Sequence, residues 1–232
     1  DHYFTTGEHI GNERVPDCGV EWHAIRPVVD TSSWAFAEED GRPTFTTVTN
    51  WFGEWLTDGA DLLLDNSKRT YFLEMIDLPA RVRSPIELAV CFGENEEDEV
   101  DRDRLMSHGW GVRHSFEVSS DPFAYREYIR SSRGEFSCVK PSCLMFENAW
   151  ISDRTLCYLA TGRPAIVQHT GASRYLPDAE GLFRFRTVDE AVSAFEAIET
   201  DYVSQREAAR TLAVDHFDAA AISRRVLEVV LG

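Results

Sequence analysis

Four consecutive residues, Ser152-Asp153-Arg154-Thr155, head an apolar stretch, Leu156-Cys157-Tyr158-Leu159-Ala160, that is closed by Gly162 and Pro164. Read as a helix from Ser152 to Thr161, the segment offers unpaired backbone N–H groups, two hydroxyls and a guanidinium at the positive end of the helix dipole. That combination suits a phosphate, although a serine in this place also serves as an ordinary cap. No Gly-x-Gly-x-x-Gly and no Gly-x-x-x-x-Gly-Lys-Ser/Thr occurs, which excludes the glycine loops of classical dinucleotide and nucleoside-triphosphate sites. Histidine is the usual base. His108 beside Gly109 and His216 before Phe217 read as structural, whereas His169 stands at the end of an apolar run, Ala165-Ile166-Val167-Gln168, and is followed by Thr170-Gly171. Glu8 and His9, after the apolar Tyr3-Phe4, form a second pair able to act as a base or to sit in a solvated turn. Trp51, Phe52 and Trp55 can stack on a sugar or base, or lie buried against the following helix.

The elements that must position these groups alternate regularly. Phe45–Thr49, Ile86–Cys91, Gly111–Phe116, Glu135–Val139, Ala165–Gln168 and Leu182–Phe185 are short β-branched or aromatic runs and read as strands. Helices are expected over Ser67–Leu78, Asp101–His108, Asp121–Ser131 and Ser152–Thr161. After the sixth strand the chain reads as a helical tail, Val188–Glu199, Val203–Val214 and Ala219–Leu231. This alternation predicts an α/β fold with a doubly wound, Rossmann-like parallel sheet. Ligands bind such sheets beyond the carboxyl ends of the strands. The loops concerned are Asn50–Gly53, the long Lys140–Ile151 loop and His169–Ser173. The acidic run Glu94–Glu99 lacks periodicity and reads as a solvated loop.

Of 232 residues, 23 are Lys or Arg and 40 are Asp or Glu, a net charge of −17. Such acidity argues against a nucleic-acid or anionic-membrane partner. No apolar run approaches the roughly 20 residues of a membrane span. Five cysteines in no zinc spacing read as reduced thiols of a cytoplasmic protein, with Cys91, Cys138 and Cys157 in apolar runs. Residues 1–40 are punctuated by Gly7, Gly11, Pro16, Gly19 and Pro27 and carry no initiator Met. They do not read as a complete folding unit.

The segment from Arg133-Gly134-Glu135-Phe136-Ser137 through Gly162-Arg163-Pro164 to Thr170-Gly171 resembles the C-terminal, donor-binding domain of bacterial GT-B-fold glycosyltransferases. Gly181-Leu182, Val188-Asp189-Glu190-Ala191, Ala208-Ala209-Arg210 and His216-Phe217-Asp218 extend the resemblance, which covers about residues 45–232. It implies a Rossmann-like domain over 41–232 and, in 1–40, the remnant of an N-terminal acceptor domain with its linker, most of that domain lying upstream or absent. It further implies metal-independent transfer of a sugar from a nucleotide-diphosphate sugar to an unspecified small-molecule or glycan acceptor, with no cofactor and no metal. Ser152, Asp153, Arg154 and Thr155 match the helix start that holds the donor diphosphate. Lys68 matches a lysine that neutralises it, and Gly53 a close backbone approach to it. Gln168, His169, Thr170 and Gly171 match the loop that contacts the sugar. Any base belongs to the acceptor side, which points to Glu8 and His9. The resemblance has a gap: positions often occupied by Glu are Ala149 and Cys157 here. Either Glu147 or Glu135 holds the ribose, or the donor binds differently, or activity is lost. A non-catalytic binding or partner domain of the same fold, and a sugar epimerase of the same shape, are the alternatives.

Overall fold

A computed structural model of the chain describes residues 1–38, 41–57, 63–93, 95–176 and 180–232. Its N-terminal stretch pairs β1 (Tyr3–Thr5) with β2 (Trp22–Ala24) in parallel. The chain then runs along the later helices as a strap. Val29 exchanges backbone hydrogen bonds with Phe217 and Ala219, and Ala37 donates to Thr161. Arg210 anchors the strap by donating to the carbonyls of Thr31 and Trp34.

The β-branched run predicted as a strand is β3 (Phe45–Asn50), buried on both faces as a central parallel strand must be. A short antiparallel hairpin, β4 (Trp55–Thr57) with β5 (Leu63–Asp65), follows it and was not expected. Next come α1 (Arg69–Glu74), β6 (Ile86–Cys91), α2 (Glu96–Ser107) and β7 (Gly111–His114). Two more helices, α3 (Phe116–Ser119) and α4 (Pro122–Arg130), lead into β8 (Gly134–Ser137). Then α5 (Pro141–Phe146), α6 (Asp153–Ala160), β9 (Ala165–Gln168) and β10 (Leu182–Phe185) complete the sheet. The tail is α7 (Val188–Thr200), α8 (Tyr202–Phe217) and α9 (Ala219–Leu231).

The described residues form a six-stranded sheet in the order β10-β9-β8-β3-β6-β7, every neighbouring pair parallel. This is the doubly wound arrangement that the strand–helix alternation predicts. Its strand order reverses between β3 and β8, the place where such sheets bind ligands. One face packs an aromatic core: Phe136 stacks on Phe185 with ring centroids 5.4 Å apart, and Phe45 meets Phe195 at 4.6 Å. The other face packs Leu156 and Leu159 of α6 against Ala209 and Leu212 of α8.

Local chemistry explains most helix ends. The Asp121 carboxylate accepts from the N–H groups of Phe123 and Ala124, with Pro122 in the first turn, so α4 starts where the sequence predicts. Gly162 follows α6 at φ +70° and lies against the ring of Phe36. The acidic run is a correction. Glu96–Glu99 form the first turn of α2 behind Asn95, whose side chain accepts from the Asp98 N–H; Glu94 lies outside the described residues. Negative side chains are stabilised at a helix N-terminus, and that signal carries no apolar period. The supposed Lys140–Ile151 loop likewise contains α5. Cys91 is exposed, while Cys138 is fully buried.

Gly134 opens β8 opposite Phe45. A Cβ there would stand 2.5 Å from the Pro164 carbonyl and 2.6 Å from the Phe45 ring. Gly134→Ala is therefore expected to cost about 1–3 kcal/mol through overpacking, read as a lower urea midpoint at unchanged slope. An unchanged midpoint would show that β3 and β8 can move apart freely.

Candidate functional site

The sheet parts where its order reverses. β3 and β8 pair through Phe45 with Gly134 and Thr46 with Glu135, whereas β3 and β6 pair along the whole of β3. Arg154, in the first turn of α6, fills the opening. Its Nη1 donates to the Val48 carbonyl at 2.9 Å, its Nη2 to Ser137 Oγ at 2.6 Å, and its Nε to Glu135 Oε1 at 2.6 Å. One side chain thus ties β3, β8 and α6. The Arg154 side chain is 10% exposed and that of Glu135 is 0% exposed. Burial alone would weaken the guanidinium's hold on its proton, but the Glu135 carboxylate outweighs it and the net shift is upward.

Two sequence expectations change here. Arg154 does not extend toward a ligand, because all three guanidinium nitrogens donate inside the protein. Glu135, expected among the donor contacts, lies buried behind Arg154, and its Oε2 has no hydrogen-bond partner among the described residues. A residue that alternates inward on a central strand has no route to solvent.

Lys68 immediately precedes α1 and is half-buried. Burial and then the positive charge of Arg154 push its ammonium down to about 7, against the pull of Glu135. Lys68 and Arg154 are therefore electrostatic neighbours, but in unlike roles. Arg154 is a fixed internal charge, and Lys68 is a cation that titrates near neutrality. Ser152 occupies the cap position of α6, yet its side chain makes no capping bond. Asp153 is exposed and Thr155 is buried. Gly53 is accounted for by packing rather than by a phosphate. Its Cβ would lie 2.0 Å from the Asn66 carbonyl, and its N–H donates to Ser67 Oγ at 3.1 Å. Of the aromatic trio, Trp51 is core, with its indole N–H on Asp101, while Phe52 and Trp55 are exposed.

The loops after β8 and β9 are locked together. The Gln168 side-chain carbonyl accepts from the Val139 N–H at 3.1 Å, and the Thr170 hydroxyl donates to the Trp150 carbonyl at 2.7 Å. The Ala149 N–H donates to the Thr170 carbonyl at 2.9 Å. Gly171, at φ +118°, lets the Glu147 carbonyl approach within 2.5 Å of where a Cβ would be. Glu147 and Ala149 hold left-handed backbones at φ +45° and +58°, which for non-glycine residues is strained and is found at functional sites. A cavity of about 340 Å³ opens here, lined by Glu147, Gln168, His169, Gly171 and Arg186. Sequence reasoning did not name Arg186. The strand-end rule applied to Leu182–Phe185 would have found it, since Arg186 is the next residue.

Glu8 and His9 reach the same edge from far away in sequence. Glu8 accepts from Ser173 Oγ at 2.7 Å and from the Arg174 N–H at 2.6 Å, so its carboxylate anchors the loop after β9. His9 Nδ1 lies 2.5 Å from the Glu147 carbonyl. A carbonyl can only accept, so Nδ1 carries a proton, and in the neutral ring Nε2 is the accepting nitrogen. Asp101-Arg102-Asp103 spells Asp-x-Asp, but Asp101 is buried on Trp51 and Arg69 within α2. Among the described residues, no three His, Cys, Asp or Glu side chains gather to hold a metal ion. No described helix is long and apolar enough to cross a membrane.

No protein-family model matches the chain, and no curated protein matches it. Solved structures do match. HepE of Anabaena in complex with UDP and glucose superposes with a TM-score of 0.58 at 11% identity, over 93% of this chain and 59% of HepE. A sucrose-phosphate synthase from Thermosynechococcus elongatus gives 0.61 at 10% identity, over 92% of this chain and 53% of the synthase. A glycosyltransferase from Rickettsia africae gives 0.60 at 9% identity, over 94% and 58%. The chain spans little more than half the length of these structures. Its fold is a Rossmann-like α/β domain of the GT-B type, and it is a partial GT-B-like domain.

The buried pair makes a direct prediction. Glu135→Ala leaves Arg154 uncompensated in the seam and is expected to cost about 3–5 kcal/mol in urea unfolding, with much of the loss recovered in a double variant carrying methionine at both positions. A loss under about 1 kcal/mol would show that Arg154 is solvated instead.

Proposed function

We propose that the carboxyl edge of the sheet, at Lys68 and the start of α6, binds the diphosphate of a nucleotide sugar and that the protein transfers the sugar, without a metal, to an acceptor. The carrying observation is Lys68, held near its titration point beside the buried Arg154 at the reversal of a parallel sheet. Diphosphate bound there favours the protonated lysine, so the site gains a full cation when the ligand arrives. Ser152 and the backbone at the start of α6 add donors at the positive end of a dipole. The charge that develops on the leaving diphosphate is then met by groups already in place, which is electrostatic stabilisation of the transition state. Gln168, His169 and Thr170 bound the region for the sugar, and His9 Nε2 supplies a base on the side from which an acceptor arrives. Support comes from the GT-B-type fold and from HepE, which was solved with UDP and glucose. In this reading residues 1–40 represent the margin of an acceptor domain and its linker.

A second reading rests on Ala149 and Cys157. The Cys157 thiol is pushed up to about 12, chiefly by burial, and so offers no anionic partner for a ribose. With Glu135 buried as well, Glu147 is the remaining carboxylate at the cavity. A binding or partner domain without turnover would need none of them.

Isothermal titration with a panel of nucleoside diphosphates tests the proposal. Lys68→Ala is expected to weaken binding by about tenfold or more, the scale of one charge-assisted hydrogen bond. The free lysine loses its proton above pH about 7. The bound form holds it to higher pH, so binding takes up a proton and affinity falls as pH rises from about 7 to 9. Lys68→Arg should flatten that profile. Binding independent of both pH and Lys68 would remove the lysine from the site. Binding without transfer to any acceptor would favour the second reading.

A further inference from the structure

One tie between the N-terminal segment and the helical tail runs through an imidazole. Arg26 follows β2, and its Nη1 donates to Nδ1 of His216 at 3.2 Å and to the His216 carbonyl at 3.2 Å. The same guanidinium lies over the Tyr175 ring, 4.5 Å from its centroid. A guanidinium only donates, so Nδ1 of His216 accepts and holds no proton. A backbone attachment of the segment stands beside this tie. Val29 donates to the Phe217 carbonyl at 2.9 Å and accepts from the Ala219 N–H at 3.0 Å. His216 also borders a cavity of about 170 Å³. The titratable or charged groups that line it with His216 are Arg26, Tyr175 from the loop after β9, Asp215 from α8, Asp218 at the helix junction and Arg225 from α9. Asp218 is engaged elsewhere, accepting from Thr31 Oγ1 at 2.6 Å and from the N–H groups of Ala220 and Ala221.

We infer that His216 is a pH-sensitive latch: its neutral ring fastens Arg26, and with it the N-terminal segment, to the junction of α8 and α9, and its protonated ring releases them. Protonation turns the accepting nitrogen into a donor and sets two positive charges 3.2 Å apart. The docked segment therefore requires a neutral ring. Burial, and then the charge of Arg26, keep the imidazole titrating below its ordinary 6.5, against the pull of Asp215. The docked form binds fewer protons than the released form. Docking is thus at full strength above about pH 6.5 and is lost progressively as the pH falls below it. Because Tyr175 belongs to the loop after β9, the same proton loosens that loop on one side, while Glu8 still holds it through Ser173 and Arg174. Neither Lys68 nor Arg154 takes part, so the latch is independent of the donor-site reading.

Two measurements on the whole chain between about pH 7 and about pH 5, where histidine changes charge, test the latch. Nitrogen NMR follows the His216 ring, and hydrogen exchange, corrected for the intrinsic pH dependence of the rate, follows the Val29 and Ala219 amides. At neutral pH Nδ1 should report an unprotonated, accepting nitrogen. Protection of the two amides should then fall several-fold, with the midpoint of the ring's own titration. His216→Gln, whose side-chain carbonyl accepts from Arg26 without titrating, should keep the protection at neutral pH and remove its loss in acid. Arg26→Gln should raise the His216 midpoint toward 6.5. Protection that stays constant while the wild-type ring titrates overturns the latch. So does a loss in acid that persists in His216→Gln, because another group then drives it, and so does a midpoint that Arg26→Gln leaves in place.

Discussion

A guanidinium buried across a parted sheet holds the carboxyl edge of this protein together. A doubly wound sheet must reverse its order somewhere, and the strands on either side of that point diverge with nothing between them. Apolar side chains can close such a gap. Here Arg154 closes it, reaching the backbone of β3, the hydroxyl of Ser137 and the carboxylate of Glu135. Two charges are thereby withdrawn from water, which costs about as much as their attraction returns. Burial first, and then the charge of Arg154, push the Lys68 ammonium down to about 7, against the pull of Glu135. The seam, the pair and the lysine form one electrostatic unit.

The remainder of the edge is shaped by loops that support one another. The N-terminal stretch supplies Glu8 and His9 to the loops after β8 and β9. Those loops in turn exchange hydrogen bonds between Ala149, Trp150 and Thr170. The strained backbones of Glu147 and Ala149 persist because these contacts determine them from both sides. The arrangement is a rim braced by hydrogen bonds, which hold its polar groups in fixed directions.

Much of the fold was legible in the sequence because its signals are local. The β-branched run of Phe45–Thr49, the Asp121-Pro122 start of α4 and the Gly162-Arg163-Pro164 stop after α6 each act through neighbouring residues, and each element formed where those signals place it. Strand–helix alternation then implies a parallel sheet, and the sheet implies that function gathers at its carboxyl edge. Gln168, His169 and Gly171 do lie there.

The direction in which a side chain points is another matter, because it depends on what stands opposite. Arg154 at a helix start looks the same in sequence whether it faces solvent or a gap between strands. Only the short register of β3 with β8 and the carboxylate of Glu135 across from it turn the guanidinium inward. Gly53 likewise resembles a phosphate-loop glycine until the backbone of Asn66 is seen against it. The acidic stretch Glu96–Glu99 carries no apolar period, yet it is the first turn of α2 behind the Asn95 cap. Sequence alone determined the six strands of the sheet, their order along the chain and the edge at which they can act, since those follow from hydrogen bonding and burial along the chain. The tertiary structure decided which charges are buried, which cations remain to meet a ligand and where the cavity lies, since electrostatics and packing couple residues that the chain keeps far apart.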